Sequence, residues 1–271
     1  MVVVHLPASN VSRCPTFGPD RGVLRALKDS IRSLETGGMG GPGPIPLGVA
    51  PIDAALGGGL ARSSVHEIAA AGESAMAAAS GFVLALASRA RDPRATLWIA
   101  EDMGLVENGA PYGPGLDDFG LAPERLVTVA AAKPRDVLWA VEEALRCRAV
   151  GAVIGEIRSA DRLDLSASRR LSLAAGHRDV CAFLLRTAPG TDASAAATRW
   201  TVDPVPSRTS AAGPGPPRLL VHLTRNRRGP VGSWILEWKG VERRFDLAPS
   251  LSQPVADAAF DRPHRAAALG A

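Results

Sequence analysis

Residues 47–90 read LGVAPIDAALGGGLARSSVHEIAAAGESAMAAASGFVLALASRA, and the order of the pieces within them decides the fold. A turn with three consecutive glycines, Gly57, Gly58 and Gly59, leads into an apolar run of strand length at 64–70. A second loop, Gly72-Glu73-Ser74-Ala75-Met76-Ala77, leads into an alanine- and leucine-rich helix. Where a strand passes into a helix, unpaired backbone N–H groups point outward and the helix dipole favours an anion. A nucleotide-hydrolysing protein carries G-x-x-x-x-G-K-[ST] at this turn, with the lysine on the phosphates and the hydroxyl on magnesium. Here the loop holds one glycine, an acid and no lysine, and no lysine occurs between Lys28 and Lys133. The scaffold of a phosphate site is present and its chemistry is missing.

Downstream the same grammar repeats. Apolar runs of strand length occur at 96–100 (TLWIA), 126–130, 150–154 and 180–185 (VCAFLL), with helical patterns between them. The first helix finishes over 80–90. Pro134 opens another at the first-turn position it favours, with Val137, Leu138, Val141 and Leu145 as its buried face. A third covers 165–175 and is stopped by Gly176. Short apolar strands alternating with helices predict an α/β fold, a mostly parallel sheet flanked by helices on both faces.

The pattern then changes. Residues 195–202 (AAATRWTV) read as one more strand, and 203–217, rich in Pro, Gly, Ser and Ala, read as a mobile loop. From Arg218 onward apolar residues alternate: Leu219, Val221 and Leu223, then Trp234, Leu236 and Trp238, then Val241, Arg243, Phe245 and Leu247 with Arg243 in the alternating series. Turns at Arg228-Gly229-Pro230 and Lys239-Gly240 make this a C-terminal antiparallel β meander at the sheet edge. The folded core is therefore read over 47–248.

Upstream, 1–19 has no pattern and reads as a flexible arm. Residues 20–36 read as a helix capped by Asp20 and ended by Gly37-Gly38, with Leu24, Leu27, Ile31 and Leu34 in one stripe. GGMGGPGPIP (37–46) reads as a flexible linker. The stripe accordingly has two candidate destinations, the protein's own core or another molecule. Residues 249–271 have little to bury and read as a disordered tail, and the chain has no internal repeat.

With 46% apolar residues the chain can bury a sizeable core, and with only 4% aromatics that core is built mainly from Leu, Val, Ile and Ala. The formal charge of +4 is carried by arginine, 28 Arg to 3 Lys. Arginine favours bidentate contacts with phosphate or carboxylate, although genomic base composition produces the same bias. Cys14, Cys147 and Cys181 are far apart, and Cys147 and Cys181 sit in apolar sequence. They read as reduced structural thiols rather than as a metal site. The start, MVVVHLPAS, lacks the basic residues and long apolar run of a signal peptide, and no stretch of 18 apolar residues suggests a membrane span. The expectation is a cytoplasmic protein without membrane contact.

The segment LGVAPIDAALGGGLARSSVHEI resembles the opening of the RecA-like core. The likeness extends through Phe245, and the order of motifs is most similar to the ImuA family, the RecA-like members of bacterial mutagenesis cassettes. The resemblance implies a RecA-like core and assigns four positions of a vestigial nucleotide site. The first is the loop with Gly72, Glu73 and Ser74, where Met76 lies near the place of the missing lysine. Neither Glu73 nor Met76 can neutralise a triphosphate. The second is Glu101, at the position where RecA-like ATPases hold the glutamate that activates water. The third is Glu156, which resembles the acid after the magnesium-site strand. The fourth is Arg186, where the family's ATPases tend to have a glutamine that senses the γ-phosphate; arginine cannot accept a hydrogen bond, so that relay is lost.

DNA binding is a separate matter. RecA-like recombinases hold single strands with two long loops, and both look shortened here: IRSADRLD (157–164) and TAPGTDASA (187–195). Basic residues collect instead in 199–247, nine Arg and Lys against four Asp and Glu. Arg225, Arg227 and Arg228 sit together in LTRNRRGP, which resembles the strand with which a RecA subunit reaches its neighbour's nucleotide. They are candidate contacts for a partner or for nucleic acid, as is the stripe Leu24, Leu27, Ile31 and Leu34. His66, His177 and His222 form no recognisable catalytic spacing, and the acid pair Asp117-Asp118 has no partner histidine. No catalytic residue, cofactor or metal is expected.

The resemblance thus implies a non-catalytic RecA-like adaptor or regulator of DNA-damage-induced mutagenesis by error-prone translesion synthesis. Its implied partners are an ImuB-like homologue of Y-family polymerases, RecA, and an error-prone replicative-type polymerase. DNA contact and self-association stay open. Two alternatives are a RecA-like ATPase with an unconventional phosphate site and a SulA-like cell-division inhibitor. The long meander argues against the second.

Overall fold

The computed structural model describes residues 43–90, 94–158, 163–177, 180–207, 209–210 and 213–248. The arm, the 20–36 helix with Leu24, Leu27, Ile31 and Leu34, most of the linker and the 249–271 tail lie outside the described residues.

The elements follow in order α1 (Ala50–Ala55), β1 (Val65–Ala70), α2 (Met76–Arg89), β2 (Ala95–Glu101), α3 (Asp102–Asn108), α4 (Gly113–Asp118), β3 (Leu126–Ala131), α5 (Pro134–Arg146), β4 (Val150–Ile157), α6 (Leu165–Gly176) and β5 (Cys181–Arg186). They end with β6 (Thr198–Val205), β7 (Arg218–Asn226), β8 (Gly232–Lys239) and β9 (Arg244–Leu247). These nine strands form one sheet in the order β9-β8-β7-β6-β1-β5-β4-β2-β3. Six of them, β6, β1, β5, β4, β2 and β3, run parallel. The meander of β7, β8 and β9 continues antiparallel from β6. The α/β architecture read from the sequence is the one found.

Side chains alternate between the two faces of the sheet, and each face has its own core. On one face α2 packs on Ile68, Ile154, Phe183, Leu185 and Val202. Its sequence is apolar almost all round, and Ala79, Phe82, Val83 and Leu86 are buried. The Phe82 ring lies 5.6 Å from those of both Trp200 and Phe245, so this one side chain joins α2 to β6 and to the meander. Burying such a residue is worth about 1.5–3 kcal/mol. On the other face α5 and α6 cover Val65, Ile99, Val153 and Leu184. The stripe Val137, Leu138, Val141 and Leu145 is buried as its spacing requires. Gly155 permits the close fit of α5 on β4, because a Cβ there would lie 2.7 Å from Val141 Cγ2. Among the described residues no helix is long and apolar enough to cross a membrane.

Four local readings change. Ile45, counted with the linker, is fully buried and exchanges two backbone hydrogen bonds of 2.8 Å with Leu60. Gly59, at φ +139°, makes this approach; a Cβ there would meet the Ile45 carbonyl oxygen at 2.2 Å. The loop read over 203–217 starts later, since Asp203, Pro204 and Val205 still pair with Leu220, Leu219 and Arg218. Proline misleads here because it tolerates the end of a strand, where no ladder N–H is needed. Val241 is not a strand residue but a turn residue, 96% exposed, and Arg243 holds a positive φ of 48° before β9 begins. Cys147, at the end of α5, is exposed, whereas Cys181 is buried.

His66 is buried in β1 and does structural work. Its Nε2 lies 2.9 Å from the Ala61 carbonyl, an acceptor, so Nε2 carries the proton. Nδ1, 2.8 Å from Thr198 Oγ1, then accepts from that hydroxyl, which in turn accepts from Trp200 Nε1 at 2.9 Å. The chain satisfies three buried polar groups with a neutral ring. Burial first, and Arg228 to a lesser degree, lowers the His66 pKa from 6.5 to about 4, against the raising effect of the Ala61 bond. Between these values the unfolded chain binds a proton that the folded chain does not. The stability from the neutral ring is therefore complete above pH 6.5 and declines as the pH falls toward 4, by about 3 kcal/mol over the whole window. Urea denaturation of the wild type and His66→Gln across this window should show the slope in the first and its loss in the second.

Candidate functional site

The loop after β1 is a single 3-10 turn, Glu73–Ala75, preceded by an extended Gly72 and running directly into α2 at Met76. Glu73 and Ser74 are exposed and Met76 is half-buried. No side chain caps α2, and its first turn carries no charged group beyond that turn's Glu73. This loop offers a triphosphate one carboxylate and no cation. Its residues do not fit a nucleotide with magnesium.

The two acids expected beyond the loop do lie near one another, at the ends of adjacent strands β2 and β4. Glu101 is half-buried and accepts from the Arg158 backbone N–H at 3.3 Å. Glu156 is 5% exposed and lies inside β4 rather than after it. Its Oε2 accepts from Trp98 Nε1 at 3.3 Å. Its Oε1 makes no hydrogen bond of good geometry, although Asn108 lies close enough to help the charged form. Burial raises the Glu156 pKa, Glu101 adds to the rise, and Trp98, Arg158 and Asn108 oppose it. Arg158 is itself tied to Glu107 at 2.7 Å. Among the described residues no group of His, Cys, Asp and Glu is arranged to hold a metal ion.

Arg186 does not serve the loop. It is 3% exposed, and its guanidinium lies 3.9 Å from Glu67 in β1. Glu67, 1% exposed, is a centre that sequence reasoning missed. Its Oε2 accepts from Arg199 Nε at 2.9 Å, and its Oε1 accepts from the Ser194 hydroxyl. Arg199 also donates to the carbonyls of Gly190 and Asp192, at 3.0 and 2.8 Å. The 187–195 segment is thus a stapled loop. Three of its residues are held by Glu67 and Arg199: Gly190, Asp192 and Ser194.

The hairpin arginines take part in the same stapling. Arg225 donates to the Ser194 carbonyl at 2.5 Å and Arg227 to that of Ala195 at 3.2 Å. Asn226 between them donates to Ala55 and Pro230 carbonyls. The Arg228 side chain is exposed, and its backbone N–H is held by Asn226 Oδ1. The three residues are brought together, but two of them hold the protein's own backbone. The 157–164 loop lies partly outside the described residues, and so does the candidate stripe on the 20–36 helix.

Two curated proteins, each named Protein ImuA and coming from two strains of Caulobacter vibrioides (NA1000 / CB15N and ATCC 19089 / CIP 103742 / CB 15), are 34% identical to this chain over 197 residues. The match covers 67% of this chain and 77% of each relative. The chain belongs to the ImuA family. No family model matches it. In this member of the ImuA family the loop after β1 carries no lysine, Arg186 turns inward to Glu67, and Glu101 and Glu156 lie near one another.

Removing Glu67 leaves Arg186 and Arg199 facing each other without their carboxylate. Breaking a buried pair in this way costs about 3–5 kcal/mol. Glu67→Ala should lower the urea midpoint accordingly at an unchanged slope, while Arg228→Ala should stay within about 0.5 kcal/mol of the wild type.

Proposed function

We propose that this ImuA-family protein is a non-catalytic adaptor or regulator in DNA-damage-induced mutagenesis, acting in error-prone translesion synthesis. Its partners in this reading are an ImuB-like homologue of Y-family polymerases, RecA, and an error-prone replicative-type polymerase. Family membership supports the setting. The observation that carries the non-catalytic part is the 72–77 loop, whose only charged side chain is Glu73. Stabilising the charge on a transferring phosphoryl group requires fixed cations or metal at that place, and a carboxylate opposes it.

A second reading, an ATPase with an unconventional phosphate site, draws on the nearness of Glu101 and Glu156. The two readings separate in cells. With the chromosomal copy deleted, a plasmid carrying Glu101→Gln should restore damage-induced mutation to the wild-type level if the protein is an adaptor. Loss of mutagenesis at wild-type protein abundance would favour the ATPase.

Partner contact is tested at Arg228, because Arg225 and Arg227 also staple the 187–195 loop and their loss would loosen it. Arg228→Ala should weaken capture of the ImuB-like protein or RecA while single-strand DNA affinity stays unchanged. If the site holds DNA instead, affinity should fall and the salt slope should drop by about 0.7 per lost phosphate contact.

A further inference from the structure

A cavity of about 690 Å³ wraps the first half of α2. Its walls are mainly apolar. Met76 and Leu84 come from α2, Leu116 and Phe119 from α4 and the turn after it, and Trp98 and Trp238 from the sheet. This is the size and lining of a small-molecule pocket, and the adaptor reading gives it no task.

Two residues of its lining carry a buried polar atom without a hydrogen bond of good geometry. Glu156 contributes the carboxyl whose Oε1 makes no hydrogen bond of good geometry. Trp238, 4% exposed, contributes an indole Nε1–H without an acceptor. An unmet buried donor or acceptor costs free energy that a fitting ligand recovers. The charge around Glu156 is lopsided. Three carboxylates share one basic residue there: Glu107 engages the Arg158 guanidinium at 2.7 Å, Glu101 accepts from the Arg158 backbone N–H at 3.3 Å, and Glu156 feels the charge of both Arg158 and Glu101. Arg218, elsewhere in the lining, is matched by Glu237 at 3.8 Å. The Glu156 end is therefore set up for a cation and hostile to phosphate, while the remainder of the cavity favours hydrocarbon.

We infer that this cavity binds an elongated, mostly apolar ligand that presents a basic nitrogen to Glu156. The ligand's hydrocarbon body lies along α2 against Leu84, Phe119 and Trp238. The ammonium group supplies the hydrogen bond that Glu156 Oε1 lacks and keeps that carboxyl ionised. An oxygen acceptor at the far end would additionally satisfy the Trp238 indole.

The probe is 4-phenylbutylamine, with 4-phenylbutanol as its neutral and 4-phenylbutyrate as its anionic counterpart. Each is titrated into the full chain and followed by tryptophan fluorescence, which Trp98 and Trp238 report from within the wall, and by calorimetry. The amine should bind at least tenfold more tightly than the alcohol, and the carboxylate should not bind. Glu156→Gln should abolish the preference for the amine and leave the alcohol's affinity unchanged. Ser80→Phe, which places a ring in the cavity from α2, should remove binding of all probes without changing Glu156. Equal affinity for the three probes, a preference that survives Glu156→Gln, binding that survives Ser80→Phe, or no binding of the amine would each overturn the assignment.

Discussion

The carboxylate of Glu67 sits in the middle of β1, the strand between β5 and β6, with guanidinium groups from both neighbours turned toward it. Glu67 lies directly across from Arg199 in the β1–β6 ladder. A slip of one residue would send the glutamate to the α2 face and bury it among Ile68, Phe82 and Val202, because the side-chain period of a strand is two. A charged pair taken out of water recovers its desolvation cost only with good geometry and further hydrogen bonds. Here the Ser194 hydroxyl and the carbonyls of Gly190 and Asp192 complete the set. The pair therefore fixes register as well as charge. It also holds the loop at the end of β5, and Arg225 of β7 and Arg227 just after it reach the same loop.

This constraint bears on function through Arg186. A residue at the end of β5 could face the loop after β1 and sense what binds there. In this chain it turns to Glu67, on the α5 and α6 side of the sheet, while Glu156 remains on the α2 side. The loop itself carries no cation. Neither the loop nor Arg186 therefore offers a phosphate a cationic contact in this chain. Of the two acids, Glu156 borders an apolar cavity rather than a charged cradle.

Much of the fold was legible because period and punctuation agreed. The alternation of apolar runs with helical patterns gave the parallel sheet, Pro134 and Gly176 marked helix ends, and the period-two run after Arg218 gave the meander. The loop's missing lysine was equally plain. What escaped notice depends on distant partners. Glu67 looks like a single polar residue in VHEIAA, and its arginines lie 119 and 132 residues away, so no local pattern identifies it as a centre. Arg225 and Arg227 read as a basic surface because sequence shows charge and not the carbonyls that receive it. Val241 fitted the alternation by type but falls in the turn that Arg243 closes with its positive φ. The cavity was invisible for the same reason as Glu67, since its walls come from α2, α4, β2, β4, β6, β7, β8 and β9.

The central claim is that a RecA-type strand–loop–helix here has ceased to be a nucleotide site. Calorimetric titration of the full chain with ATP and magnesium tests it most directly. The account predicts no saturable heat and no hydrolysis. Saturable binding with a micromolar Kd, together with turnover that disappears in Glu101→Gln, would contradict it.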